Sequence, residues 1–353
     1  MTSDISPLRT AVIGFGTGGA VFHAPVIDAE PRLSLSAIVT GNPTRRAAAL
    51  ARYPKVTVPT SVADLWEHAE DIDLVVVTTP TRYHASLARA ALSRGIPVVV
   101  DKPFTVTSEQ AAELESLAAA SGTLLTVFQN RRYDGDFRTV RKLIGEGALG
   151  AVHRFESRFE RWRPEPKTKW TDQGDPGDAG GITYDLGSHL IDQAVALFGA
   201  PLSVYAEINT RRAGARTDDD SFIALTHPGG VRSHLWMSAL APHLGPRFRV
   251  LGNKACYVKH GLDPQEAALG DGAIPGGPGW GAEPEDSWGF LSSGEETSAV
   301  PTEPGDYPAY YREVAEAVFT GGPPPVSAAE ARQVIEIIEA CYRSQDQVTV
   351  IHF

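Results

Sequence analysis

Asp185, His189 and Asp192 lie in GGITYDLGSHLIDQ, residues 180–193, three ionisable groups set into an otherwise apolar helical pattern. On an α-helix Asp185 and His189 are i,i+4 neighbours and Asp192 is i+3 from His189, so the three share one stripe. An imidazole with an ordinary pKa near ~6.5 accepts and releases a proton at working pH, and an acid one turn away fixes its tautomer or holds a substrate. Leu186, Leu190, Ile191 and Val195 flank the stripe toward a core, which turns the ionisable edge outward. Gly180 and Gly181 precede it, where glycine admits close approach of a ligand to the backbone. A solvated ion pair on an exposed helix face has the same pattern, and the helix alone does not choose.

A second chemical group stands in DKPF, residues 101–104. The proline fixes the turn and disfavours helical geometry at Lys102, which would point its cation into a cleft with little freedom. A solvated surface lysine is the alternative. Just upstream, TTPTRYH (78–84) makes a proline-containing turn into a helix, with Thr79, Pro80 and His84 toward the same cleft.

These groups need elements to carry them. LRTAVI (8–13) runs directly into GFGTGGAVFHAPVI, so Gly14, Gly16 and Gly19 fill G-x-G-x-x-G between a strand and a helix. The glycines permit the tight turn, the approach of backbone N–H groups to a pyrophosphate, and close helix packing. LSLSAIV (33–39), KVTV (55–58), DLVVVTT (73–79), PVVVD (97–101) and TLLTVF (123–128) read as further buried strands, with helical stretches between several of them. Strands alternating with helices predict a parallel sheet covered on both faces, an α/β Rossmann domain over residues 1–125. Its second strand ends in Thr40, Gly41 and Asn42 rather than the acid that binds the ribose of NAD, and Arg45 and Arg46 follow at a helix start. That favours NADP over NAD.

After residue 150 the rhythm changes to period two, in AVHRFESRFERW, SVYAEINT, SFIALTHP, VRSHLWMSA and RFRVLGNKACYVKH. These predict a large, mainly antiparallel open sheet in an α+β substrate domain over residues 126–353. Its covering helices are the ionisable one, a tract from Tyr310, and SAAEARQVIEIIEACYRS, which folds back on the first domain. Residues 163–180 form a polar loop before the ionisable helix. Residues 262–308, acidic and rich in Gly and Pro, read as a lid, an oligomer arm or a disordered segment.

The bulk properties narrow the class. The 353 residues carry a formal charge of −11 with no basic cluster, which argues against nucleic acid and anionic membranes as partners. No apolar run approaches the ~20 residues of a membrane span, and two cysteines make no framework and no metal site, so a reduced, cytoplasmic protein is expected.

GFGTGGAVFHAP, DKP, FQNRRYDGDF and GGITYDLGSHLIDQAVALFG, in this order, resemble the Gfo/Idh/MocA oxidoreductases, most closely the branch of NADP-dependent scyllo-inositol dehydrogenases. The family reads Glu-Lys-Pro where this chain has Asp101-Lys102-Pro103. The resemblance implies hydride transfer between a nicotinamide and the carbinol carbon of a sugar, inositol or related polyol. Lys102 would polarise the hydroxyl, His189 would take its proton, and Asp185 would hold a neighbouring hydroxyl or orient His189. Cofactor contacts are expected from Gly14, Phe15, Gly16, Thr17, Gly18, Gly19, Thr40, Asn42, Arg45, Arg46, Thr79, Pro80, His84, Asp101, Lys102 and Asn130. Tyr133, Arg161, Arg163, Trp170, Asp185 and His189 are expected to touch the substrate, with Lys169 a further candidate. A homodimer or homotetramer through the open sheet is implied as well. A non-catalytic NADP-binding regulator and an NAD-assisted glycoside hydrolase are the other activities of related proteins.

Overall fold

The structure is a computed structural model and describes residues 6–166 and 176–353. Lys169 and Trp170 therefore lie outside the described residues.

Strands β1 (Leu8–Ile13), β2 (Leu33–Val39), β3 (Leu74–Val77), β4 (Val98–Asp101) and β5 (Leu125–Phe128) form a parallel sheet in the order β2-β1-β3-β4-β5. Every residue of β3 and β5 is buried, as continuous apolar runs in a sheet covered on both faces require. KVTV is not a strand. Only Thr57 bridges to Ala37, because Pro54 and Pro59 bound a segment too short for a ladder. The order places the carboxyl ends of β1, β3 and β4 side by side, so Gly14, Thr78–Thr79 and Asp101–Lys102 gather at one rim. Open α/β sheets bind ligands at that rim.

The second sheet has nine strands: β6 (Val152–Glu160), β7 (Ser203–Asn209), β8 (Asp220–Thr226), β9 (Arg232–Ser238), β10 (Phe248–Gly252), β11 (Cys256–Lys259), β12 (Gly289–Ser293), β13 (Glu296–Val300) and β14 (Ile351–His352). All neighbours pair antiparallel except β6 with β9. Alternate residues of β8 and β9 are buried, including Ile223, Leu225, Leu235 and Met237. The opposite face carries Phe222, His234 and Trp236 in mutual ring contact, with Arg158 over Trp236. Residues 262–308 are not structureless: they hold helix Gln265–Gly270 and the β12–β13 hairpin that extends the sheet.

Helix Ser188–Phe198 covers the inner face, and helix Tyr307–Thr320 starts three residues before Tyr310, capped by Asp306. Helix Ala328–Gln347 touches both sheets' layers. Its Glu339 accepts hydrogen bonds from Ser108 N and Oγ at 2.8 and 2.6 Å, and its Ser344 Oγ accepts from Ala206 N of β7 at 3.0 Å. No helix among the described residues is long and apolar enough to cross a membrane.

Candidate active site

β1 delivers its glycine loop with Gly14 at φ +106, a conformation closed to most side chains. A Cβ on Gly19 would meet Gly14 O at 2.2 Å and Thr78 Oγ1 at 2.8 Å, so this glycine lets the following turn pack against the strand end. Gly16 faces open space bounded only by Arg45 Nη1 at 3.9 Å. An open cradle above one glycine, beside a guanidinium, suits a nucleotide phosphate. Thr79 Oγ1, at the end of β3, is buried without a hydrogen-bond partner and offers a further polar atom at the same rim. The residues present therefore fit a dinucleotide.

Several expected contacts take other duties. Phe15 is buried in the core. Asn42 caps helix Pro43–Arg52, its side chain accepting from Arg45 N at 3.0 Å. His84 does not face the cofactor: its ring is buried, with Nε2 at 2.7 Å from Thr79 O and Nδ1 at 3.0 Å from Pro103 O. It joins the turn after β3 to the turn that carries Lys102. Thr17 and Arg46 are exposed, Thr40 and Asn130 buried, and Pro80 half-buried at the start of the turn Thr81–Tyr83.

At the end of β4, Lys102 reaches across to the ionisable segment. Its Nζ donates to Asp185 Oδ1 at 2.8 Å and to the Asp185 carbonyl at 2.7 Å. The segment is not a regular α-helix there. Thr183–Gly187 is π-helical and passes into α-helix only at Ser188, so the i,i+4 relation of Asp185 to His189 does not hold. Such wide turns tend to mark functional sites, and here the carbonyl accepts a lysine. Burial opposes ionisation of Asp185, but Lys102, Arg161 and Arg131 outweigh it and hold the carboxyl below its usual range. Asp101 is held low in the same way, by His23 and Lys102 against its burial.

His189 is 3 % exposed and its Nδ1 has no hydrogen-bond partner. Burial first, then the charges of Lys102, Arg131, Arg247 and Arg161, push its pKa well below the ordinary value. It is a neutral imidazole, able to accept a proton. Asp192, the third member of the expected stripe, does not join it. The carboxylate is buried against Arg132, which donates to both oxygens at 2.8 and 2.7 Å. Tyr133 is also drawn aside, its hydroxyl donating to Glu313 at 2.7 Å.

The glycine before the helix is explained by protein rather than by ligand. At Gly181, with φ +93, a Cβ would meet Asp218 Oδ1 at 1.9 Å. The Asp218 carboxylate fills that space because it accepts from Thr183 N and Oγ1, both at 2.7 Å, and from the Tyr342 hydroxyl at 2.9 Å. Asp218 thereby fixes the start of the π-turn that presents Asp185. Sequence reasoning missed it, along with Arg131 and Arg247, which lie in elements distant from His189 in the chain. The only available signal was charge on otherwise apolar strand or turn patterns.

A Rossmann sheet with an open glycine cradle, facing a lysine, a carboxylate and a neutral histidine, defines an NAD-binding oxidoreductase. Residues 8–129 match the model of the oxidoreductase family's NAD-binding Rossmann fold, and residues 141–353 that of the oxidoreductase family's C-terminal alpha/beta domain. The chain belongs to the Gfo/Idh/MocA oxidoreductase family. It is 42 % identical over 334 residues to the uncharacterised oxidoreductase YdgJ of Escherichia coli, covering 94 % of each chain. It is 36 % identical to the scyllo-inositol 2-dehydrogenase (NADP(+)) IolW of Bacillus subtilis, covering 98 % of this chain and 96 % of that one. The solved oxidoreductase yvaA of Bacillus subtilis superposes with a TM-score of 0.92 at 35 % identity, over 99 % of both chains.

Two outcomes follow from this geometry. Gly181→Ala is expected to cost about 2–4 kcal/mol in urea denaturation, from overlap with an anchored carboxylate plus backbone strain. Gly122→Ala, in the left-handed helical region at φ +61 and ψ +23 with no atom within 4 Å of the added Cβ, is the control and should cost about 1 kcal/mol. Equal costs would remove the role given to Asp218. In an NMR titration the His189 ring should stay neutral at ~pH 6.5, where an ordinary histidine is half charged. A His189 signal titrating at that ordinary value would mean the cations do not act on it.

Proposed function

We propose that this protein is an NADP-preferring dehydrogenase or reductase acting on a CH–OH group of a sugar, inositol or related polyol. The observation that carries the reading is the Lys102–Asp185 contact at 2.8 Å beside the neutral imidazole of His189. The similarity to IolW, named a scyllo-inositol 2-dehydrogenase (NADP(+)), and the 28 % identity to an inositol 2-dehydrogenase of Rhizobium meliloti over 75 % of this chain support the polyol class.

Gly14, Gly16, Gly18 and Gly19 would line the pyrophosphate, with Arg45 at the adenosine end and Asp101 and Thr79 at the nicotinamide end. The bound nicotinamide supplies acceptance and donation of hydride at its ring, chemistry that belongs to the cofactor. Lys102 spends two of its three N–H donors on Asp185 and directs the remaining one to the substrate oxygen, whose developing negative charge it stabilises. His189 takes the hydroxyl proton in oxidation and returns it in reduction. The Asp185 carboxylate holds Lys102 in place and keeps its outer oxygen for a neighbouring hydroxyl, exposing 43 % of its side chain to the cleft. This division differs from one in which Asp185 orients His189. The ionic bond it makes is to the lysine.

Arg45 beside Gly16 supports NADP over NAD, since a guanidinium pairs with a phosphate and gains nothing from a bare ribose. The ring-bearing outer face of the nine-stranded sheet suits a homodimer or homotetramer, a cytoplasmic enzyme with a small-molecule partner.

An absorbance assay with both cofactors against inositols and aldoses tests the reading. Turnover should fall by about 10²–10⁴ in Lys102→Met while NADPH binding, read by fluorescence, survives. Tight NADPH binding with no turnover on any polyol would favour the non-catalytic regulator. Release of an aglycone with no net change in cofactor would favour the hydrolase. Arg45→Ala should raise KM for NADP by about tenfold and that for NAD by less than about twofold. Equal losses would refute the NADP preference.

A further inference from the structure

Three guanidinium groups gather around one phenyl ring. Arg131 and Arg161 lie 5.2 Å from the centre of the Phe159 ring and Arg247 5.6 Å from it. Two of the three are held in ion pairs and hydrogen bonds, although the Nε of each has no hydrogen-bond partner. Arg131 donates to Glu266 and, at 3.0 Å, to the Tyr307 hydroxyl, and it stands beside Asp134. Arg247 donates to Ser157 Oγ at 2.6 Å and Gln193 Oε1 at 2.9 Å, with Asp136 at 3.4 Å. Arg161 differs. Its backbone is fixed between Ser238 O and Ala241 N, yet among the described residues its guanidinium has no hydrogen bond and no ion pair, only the face of Phe159.

Arg161 is half-buried at the substrate side of the cleft, and its charge is felt at both Asp185 and His189. Arg163 follows two residues on, exposed. Lys102 has Asp185 as its ion-pair partner, Arg131 has Glu266 and Asp134, and Arg247 has Asp136, whereas Arg161 has no carboxylate at ion-pair distance among the described residues. A partly desolvated guanidinium with five unused donors gains most from a planar or tetrahedral oxyanion. A hydroxyl would leave most of that capacity unused.

We propose that the preferred substrate carries an oxyanion, a carboxylate or a phosphate monoester, on the same carbon skeleton as the carbinol, and that Arg161 binds it. The inference rests on reading Lys102, Asp185 and His189 as the dehydrogenase site. Arg161 is then the residue that sets specificity within the polyols: it seats the charged end while Lys102 and His189 work on the hydroxyl.

The test uses the full chain with NADP and three matched substrates, glucose, glucuronate and glucose 6-phosphate, with myo-inositol and inositol 1-phosphate as a second set. A charged member should exceed its neutral parent by about tenfold or more in kcat/KM, and Arg161→Gln should collapse that ratio toward one, chiefly through KM. Arg161→Lys should restore part of it, since a point charge replaces the fork only in part. The carboxylate and phosphate arms tell the two anions apart. A neutral compound used as well as its charged analogues, or an equal loss on both in Arg161→Gln, overturns the proposal. Calorimetry of the same compounds with the NADPH-loaded protein separates this from failure of the dehydrogenase reading. Binding of a charged compound that Arg161→Gln abolishes supports the oxyanion site even where nothing turns over. Charged compounds binding no better than neutral ones refutes it.

Discussion

The bond from Lys102 to Asp185 is the contact on which the arrangement of the site depends. One partner closes a strand of the parallel sheet and the other sits in a wide helical turn of the second domain, so the cleft has its chemistry only when both domains are in register. Each side is braced. Behind Lys102, His84 links the carbonyls of Thr79 and Pro103, and Asp101 Oδ1 accepts the Lys102 N–H at 2.8 Å. Behind Asp185, Asp218 grips Thr183 from the strand side and Tyr342 of the last helix. The last helix also binds Ser108 in the first domain, which closes the loop of contacts that fixes the distance across the cleft. A catalytic pair set by such a frame needs little reorganisation when substrate arrives.

The charges behind His189 follow a second logic. Buried ion pairs rarely stabilise a fold, because desolvation offsets most of the attraction. This domain nonetheless buries Arg131, Arg247, Asp134 and Asp136 together around Phe159 and Tyr307. The visible return is electrostatic. Burial and the charges of the arginines hold the imidazole's pKa down, while the acids beside the arginines lower the cost of burying them. Gln193 joins the two layers, donating to Arg131 O at 2.8 Å and accepting from Arg247 at 2.9 Å, one turn beyond His189. Function explains this network better than stability does.

The Rossmann half was legible because its signals are local. Apolar runs, a glycine motif and a lysine–proline turn each follow from chain neighbours, and only KVTV misled, since a β-branched run between prolines cannot extend a ladder. The antiparallel sheet was legible from alternation, although the β12–β13 hairpin was hidden in a tract whose Gly and Pro content suggested a lid, an oligomer arm or disorder. Lys102, Asp185 and His189 were found as types, and their relation was not. Spacing placed Asp185 against His189 and included Asp192, because helical periodicity assumes a regular helix. The π-turn shifts that register, and Arg132, from an element about 60 residues earlier, captures Asp192. Gly181 was read as a place for close approach of a ligand, whereas the group that approaches is the Asp218 carboxylate, which no local pattern identifies. Long-range side-chain pairing was the part the chain order concealed.

Asp101, where the resemblance led one to expect a glutamate, is accommodated by its neighbours. A carboxylate one carbon shorter sits nearer its own backbone, so the glycine loop must come to it. Gly18, which is not one of the three motif glycines, makes that possible: a Cβ there would meet Asp101 Oδ2 at 2.7 Å. On the other side His23, in tilted ring contact with Phe128 and hydrogen-bonded through Nδ1 to the Tyr311 hydroxyl at 2.6 Å, brings Nε2 to 3.5 Å from Asp101 Oδ1. The acid is thus clasped between the cofactor loop and a histidine anchored in the second domain. The short side chain and the missing Cβ opposite it fit one another, and together they keep a negative charge at the rim where Lys102 emerges.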